Sequence, residues 1–537
     1  MSRKRQSDAL HDHRIAVIVV KTSEENYNSC LRRLQAMEIP KGWQVEFRSV
    51  EGVSAAGARS TGMKAVEAPL KAYIEDRLQL RDRGVLRKAI EAFTQDKEVG
   101  MVGLMGTNEV PTSGIAQNSW HLLGERENKN GTMKGEKVSQ ITDCLAIDGV
   151  FMAVRGDTVW HEESYRDDYF YDTAQTLDMR RKGYRTVLIP QDEAPLLLDA
   201  SSNTTTEVSQ KSFLDEYSKD IFPLVSIIIP TYCRPDYFEE ALDSALGQTY
   251  RNIEVFITDN SPDTRTADLV ARKYAVDARV HYEHHPEFKG AVENWRTARN
   301  YNNEKAEYVQ WLMDDDILLP HKLEVMVDCY RRHPNVTLVT SYRKLIDKDG
   351  KEMPDQSFNA PVVSTDTLIS GKVIGRNILE NMLNFIGEPT TVLIKKKYLH
   401  DGDLGWTGKE GKALISDFPT WLNLCAQGDV IYLREAGSMF RFHGGNGQNT
   451  LDSLYSGLVC WSMMISHAWE TNTFLETPQS LNTAIFKWYQ EVVRIMRGAA
   501  ERKNNSSWDV TLREHICSMS ELFLEAGKGI GEALTHE

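Results

Sequence analysis

Asp314, Asp315 and Asp316 stand in a row behind a short apolar run, Tyr308, Val309, Trp311 and Leu312, in the stretch EYVQWLMDDDILLPHKL. Adjacent carboxylates repel one another, so three of them kept together behind a buried strand call for a compensating cation. Oxygen-only ligands suit magnesium or manganese. An isolated acidic triplet is more often a solvated loop or a helix cap. Position separates the two readings, because open α/β sheets bind their ligands beyond the carboxyl ends of their strands.

A sheet must therefore position this cluster, and the periodicity of the second half supplies one. Residues 224–230 (LVSIIIP) predict a fully buried strand, 238–248 a helix, 253–259 a strand, 264–274 a helix, 280–284 a strand, and 291–301 a helix leading to the acidic strand. This alternation predicts a parallel, doubly wound sheet. The first half reads as an α/β sandwich too: strands at 15–20, 44–50, 99–105, 147–154 and 186–189, helices at 29–37, 84–94 and 172–182. Glycines 100, 103 and 106 invite comparison with a dinucleotide loop. That reading fails because TNEVPTSG follows them as loop, whereas a phosphate-binding glycine loop opens directly onto a helix. Beyond residue 449 the pattern turns helical: Leu451, Leu454, Leu458, Trp461 and Ile465 share one face, Leu481, Ile485, Trp488, Val492 and Ile495 another, and 508–524 predicts a third helix. The tryptophans and methionines there predict core or a subunit interface, which would make a homo-oligomer, rather than a ligand site.

Composition sets the bounds. At 537 residues the chain is too long for one ordinary core. A net charge of -14 argues against a protein built to grip nucleic-acid phosphates. The seven cysteines are scattered, with no C-x-x-C pair, as suits a reducing compartment without a structural zinc site. The basic opening MSRKRQSDALHDHR leads only into a short apolar run, and no run approaches the ~18 apolar residues of a membrane span. We therefore expect a cytoplasmic protein, with any membrane contact peripheral at the inner face. The small, polar, aperiodic DASSNTTTE marks a connection. The expected layout is a tail (1–13), a first domain (14–198), a linker (199–221), a second domain (222–449) and a helical region (450–537).

The two domains read as diverged copies. Ala58-Arg59-Ser60 precedes Asp76 by 18 positions, counted from Ala58, and Ala298-Arg299-Asn300 precedes Asp315 by 17; Asp172 and Asp417 each lie 11 positions before a glycine, Gly183 and Gly428. The same landmarks recur in the same order.

With PLVSIIIPTYCRP, ALGQTYRNIEVFITDNSPD, WLMDDDILLPHKLE, SDFPTWLNLCAQGD and FRFHGGN in view, the second half resembles the family-two glycosyltransferases of the GT-A fold. The first half is similar to a more divergent branch, through ARSTGMKA, DGVFMAVR and FYDTAQTLDMRRKGYRTVLIP. Its acidic motif is reduced to Ile74-Glu75-Asp76, and LLLDA stands where the second half has FRFH. The resemblance implies two tandem GT-A domains, a nucleotide-sugar donor of the UDP type, a Mn2+ or Mg2+ ion, and a glycan, lipid-linked or protein acceptor. It assigns Asp315 to the metal, Asp314 to the ribose or metal shell, Asp316 to an auxiliary part and Asp417 to the general base. Pro230, Thr231 and Tyr232 then border the nucleotide, Asp259 accepts the N–H of uracil or thymine, and His443 approaches the diphosphate or the metal. In the first domain Asp76 and Asp172 are the expected metal ligand and base.

Residue by residue, simpler roles stay open: Asp417 as a helix cap after Ser416, Asp259 as a turn-forming residue, and His443 as a structural histidine. The chain reads as an inverting, metal-dependent transferase with two active domains or as one active domain beside an acceptor-binding scaffold. A nucleotidyltransferase is disfavoured, since only KTSEEN and TYCRPD follow the two first strands, without a glycine-rich, lysine-bearing loop.

Overall fold

The computed structural model describes residues 12–52, 54–165, 169–198, 206–285, 287, 291–398, 417–443, 450–501 and 509–535. The chain divides into two compact units, Met1–Phe222 and Pro223–Glu537.

The first unit is built on β1 (Arg14–Val20), β2 (Gln44–Val50), β3 (Leu70–Glu75), β4 (Val99–Gly103), β5 (Thr142–Asp143), β6 (Phe151–Arg155) and β7 (Arg185–Leu188), in the order β2-β1-β3-β6-β4-β7-β5. Ile15 to Val19 are wholly buried, which is why this β-branched run makes an interior strand. The helices are α1 (Glu24–Gln35), α2 (Ala55–Lys64), α3 (Val85–Gln95), α4 (Tyr171–Arg181) and α5 (Glu207–Ile221). α1 starts earlier than its apolar pattern predicts, because Ser23 caps it through the N–H of Asn26 and Glu24 and Glu25 occupy its first turn. Gly103 is a packing glycine and not part of a nucleotide loop: a Cβ there would lie 2.2 Å from Cγ2 of Ile147.

The sheet of this α/β unit is mixed, since β6 runs antiparallel to both β3 and β4. One expectation needs correcting: residues 207–221, read as linker, form α5 on the first unit. Phe213 stacks on Phe170 at 5.0 Å, and the Tyr217 hydroxyl donates to Asp178 at 2.9 Å.

The second unit repeats this plan. Its elements are β8 (Val225–Thr231), α6 (Pro235–Leu246), β9 (Ile253–Asp259), α7 (Arg265–Lys273), β10 (Val280–His284), α8 (Ala291–Asn300), β11 (Tyr308–Trp311), β12 (Ile317–Leu318), α9 (Lys322–Arg332), β13 (Val336–Ile346), α10 (Gly371–Asn381), β14 (Leu393–Lys395), α11 (Asp417–Gln427) and β15 (Asp429–Arg441). The main path runs β10-β9-β8-β11-β14-β13-β15-β12. From β9 to β15 both the strand order and the directions reproduce the run from β2 to β7: two parallel pairs, then an antiparallel strand entered and left, then a parallel pair. The sequence repeat is thus a repeat of topology, and the parallel sheet expected for this half is corrected to a mixed one, because β14 runs antiparallel to β11 and β13.

Helices α12 (Leu451–Glu470), α13 (Pro478–Glu501) and α14 (Asp509–Thr535) complete this unit. Trp461, Met464, Ile465, Leu481, Ile485 and Trp488 share one buried cluster with Ile228, Val309 and Trp311 of the sheet, so the helical region extends the core of the second domain. No helix among the described residues is long and apolar enough to cross a membrane.

Candidate active site

β8 and β11 run side by side with Ile228 opposite Trp311, so the loops beyond their carboxyl ends meet. There the three aspartates turn in different directions. Asp314 is buried, and its Oδ2 accepts from Thr231 Oγ1 at 2.9 Å and from the N–H of Tyr232 at 3.2 Å. Asp316 is buried too, accepting from Thr390 Oγ1 at 2.6 Å and from the N–H of Arg441 at 3.1 Å. Asp315 Oδ2 instead meets Arg234 Nη1 at 2.7 Å and His443 Nε2 at 2.9 Å, while its main-chain carbonyl accepts from Arg441 Nε at 2.8 Å.

Burial, and after it the charge of Asp315, pushes the Asp314 carboxyl up to about 7 against the opposing pull of Arg234. The same two causes raise Asp316 well above the usual carboxylate range. The carboxylates of the cluster outnumber the guanidinium that pairs with them, Arg234, and a divalent ion fits that deficit. Among the described residues no three His, Cys, Asp or Glu side chains form a closed cage. Asp315 is the carboxylate to offer: both its side-chain partners, Arg234 and His443, meet Oδ2, whereas the other two aspartates are buried on Thr231 and Thr390.

Around the cluster, Pro230 and Thr231 end β8, and Tyr232 is half exposed beyond it. Asp259 is fully buried at the end of β9, with Oδ1 accepting from the N–H of Ser261 at 2.7 Å and Oδ2 from the hydroxyl of Tyr282 at 2.7 Å. The first of these bonds makes the turn, so Asp259 shapes the loop. Asp417 is the first residue of α11; Ser416, its supposed neighbour in a cap, lies outside the described residues, as does GGN of FRFHGGN.

Sequence reasoning missed Arg234, Thr390, Arg441 and Asn260. Asn260 is buried beside Asp259 with neither amide atom hydrogen-bonded among the described residues. The signal for Arg234 was available, a lone cation directly after the TYC turn. Thr390 carried none, because its relation to Asp316 exists only across 74 residues of chain.

In the first unit Asp76 accepts from the hydroxyl of Thr22 at 2.6 Å and from the N–H groups of Thr22 at 2.7 Å and Ser23 at 3.2 Å. This is the bond pattern of Asp314 on Thr231 and Tyr232, so Asp76 corresponds to Asp314 and not, as its spacing suggested, to Asp315. Asp172, the second residue of α4, is buried and accepts from the N–H of Thr173 at 2.7 Å and its hydroxyl at 3.4 Å, the N–H of Gly149 at 2.9 Å and Gln117 Nε2 at 2.8 Å. Burial, then the charge of Asp148, pushes it up to about 6. α4 feeds β7 as α11 feeds β15, so Asp172 and Asp417 open corresponding helices.

Comparison with known proteins gives the family of each domain. Residues 16–217 match the model "Glycosyltransferase like family" and residues 226–402 match "Glycosyl transferase family 2". An uncharacterized glycosyltransferase of Rickettsia bellii is 31% identical over 241 residues, covering 43% of this chain and 32% of that protein. A second, from Rickettsia felis, is 30% identical over 43% of this chain and 36% of its own length, so the chain spans about a third of these relatives. The putative teichuronic acid biosynthesis glycosyltransferase TuaG of Bacillus subtilis is 28% identical, over 39% of this chain and 75% of its own. Among solved structures, S. aureus TarS 1-349 in complex with UDP-GlcNAc aligns with 58% of this chain and 92% of its own at 16% identity, with a TM-score of 0.35. The chain carries two glycosyltransferase domains in tandem, the second of them a member of glycosyl transferase family 2.

Proposed function

We propose that the second domain is an inverting, metal-dependent transferase that moves a sugar from a UDP-type donor to a hydroxyl of a glycan, lipid-linked or protein acceptor, in building a cell-surface polysaccharide or glycoprotein. The observation that carries this reading is the acid cluster, in which Thr231 and Thr390 secure the outer aspartates while Asp315 faces Arg234 and His443. Asp314 suits the ribose side of the donor, being anchored to the loop that Pro230, Thr231 and Tyr232 form. Asp259 and the side-chain amide of Asn260, without a hydrogen-bond partner among the described residues, suit the polar edge of a pyrimidine. Asp315 would hold the ion, with Asp316 and His443 beside it; the ion's contribution when bound is to stabilise the diphosphate leaving group. Arg234 is close enough to share that negative charge. Asp417 takes the acceptor proton in this reading, a part drawn from the family likeness and from its correspondence to Asp172. The product class follows the likeness to TuaG.

A panel of nucleotide sugars, assayed for nucleoside diphosphate release by the full-length chain with and without Mn2+, tests the proposal. Asp315→Ala should reduce metal-dependent release to background at an unchanged fold. Full release by that variant with an established donor would refute the assignment.

A further inference from the structure

The two units set opposite charges at the same place. In the second, Arg234 lies 2.7 Å from Asp315 and 3.6 Å from Asp314, while the Arg441 guanidinium is committed to Glu240 at 2.5 Å and to main-chain carbonyls. In the first, the residue after the acid that latches onto the first strand is Arg77. Its Nε lies 2.6 Å from Glu75 Oε2, and Arg59 Nη2 lies 3.2 Å from Glu75 Oε1. Arg59 is wholly buried over the Tyr171 ring, and its Nη2 also donates to the Gly149 carbonyl. Glu75 thus meets two arginines, and its charge is balanced without an ion. A divalent ion would find a guanidinium where the second unit has Asp315, and would have to pull Asp76 from the Thr22 and Ser23 donors. These residues do not fit a metal, so the expected metal ligand Asp76 serves as a strand latch.

We propose that the first unit binds a nucleoside diphosphate without a divalent ion, Arg77 supplying the positive charge that the metal at Asp315 supplies in the second. This rests on reading both units as donor-binding domains. The Arg77 side chain is 18% exposed against 0% for Arg59, so it is the cation that a ligand can reach. Glu75 keeps Arg59 as partner when Arg77 turns to phosphate. A guanidinium presents paired N–H groups that match phosphate oxygens, which an ammonium does not.

Calorimetric titration of the full-length chain with UDP, in Mn2+ and in EDTA, separates the cases. We expect two binding events in Mn2+ and one in EDTA. Asp315→Ala should leave the EDTA event unchanged and remove the Mn2+-dependent one. Arg77→Gln should weaken the EDTA event by about ten- to a hundredfold, the worth of a charge-assisted hydrogen bond, with Arg77→Lys in between. Binding that needs Mn2+ throughout, or an EDTA event that Arg77→Gln leaves untouched, overturns this inference alone. No binding in either buffer overturns it together with the donor reading. The wild-type comparison of the two buffers decides even where an Arg77 variant fails to fold.

Discussion

Replacing Lys322 by methionine should remove a pH dependence from the stability of the second unit. Lys322 is 3% exposed, and its Nζ donates to the Thr391 carbonyl at 2.7 Å. Burial pulls its amine from 10.5 down to about 7. Between those values the unfolded chain binds a proton that the folded chain does not, so stability rises with pH across the window and is lost as pH falls towards 7. At about 1.4 kcal/mol per pH unit the full window is worth about 5 kcal/mol, and the step from pH 7 to pH 9 about 2–3 kcal/mol. Methionine keeps the volume and abolishes the titration, but leaves the Thr391 carbonyl unpaired at a cost of about 1–3 kcal/mol. Urea denaturation at pH 7 and pH 9, followed by tryptophan fluorescence, should therefore show wild type gaining about 2–3 kcal/mol from pH 7 to pH 9, with Lys322→Met lacking that gain and the more stable of the two at pH 7. The consequence reaches the site: Thr391 adjoins Thr390, which donates to Asp316, so hydrogen exchange in the turn Pro389–Thr391 should quicken in the variant. Parallel pH profiles for the two proteins would refute the account of Lys322 as a buried, neutral amine.

Asp417→Asn should lower kcat by about 10²–10⁴ with donor affinity retained, as for loss of a general base; a raised KM at normal turnover would make the residue structural. Asp172, raised from 3.8 to about 6, binds a proton in the folded state that the unfolded chain releases, so the first unit should lose stability as pH rises from about 4 to about 6. Urea denaturation at pH 4.5 and 7 should reveal that loss in wild type and a smaller one in Asp172→Asn; equal slopes would count against it. A Cβ at Gly375 would lie 2.3 Å from the ring of Phe474, which is 1% exposed. Gly375→Ala should therefore destabilise the second unit by about 1–3 kcal/mol and loosen α12 and α13 on α10. A melting temperature and exchange pattern identical to wild type would show that this contact does not hold the helices.

What the sequence by itself determined was local and periodic. The buried run 225–231, the strand of 253–259 and the amphipathic faces of 451–465 and 481–495 follow from side-chain spacing, which acts over a few residues wherever the chain lies. The acid triplet was legible for the same reason, since its charge repulsion is written into consecutive positions. α5 was legible in principle: Phe213, Leu214, Tyr217 and Ile221 make one helical face, masked by the polar stretch before them. Strand direction was not, because a fully buried apolar strand reads alike whether its neighbours run with it or against it, as β6 shows. The site itself was decided by tertiary structure. Only the folded sheet brings Arg441 to Asp316 across 125 residues and Arg234 to Asp315 across 81. Only there does Asp76, one residue out of step with the repeat, fall into the latch of Asp314 and leave Arg77 where a carboxylate was expected. Spacing along the chain counts residues, whereas the charge that a ligand meets depends on which way each side chain turns and on which donors reach it first.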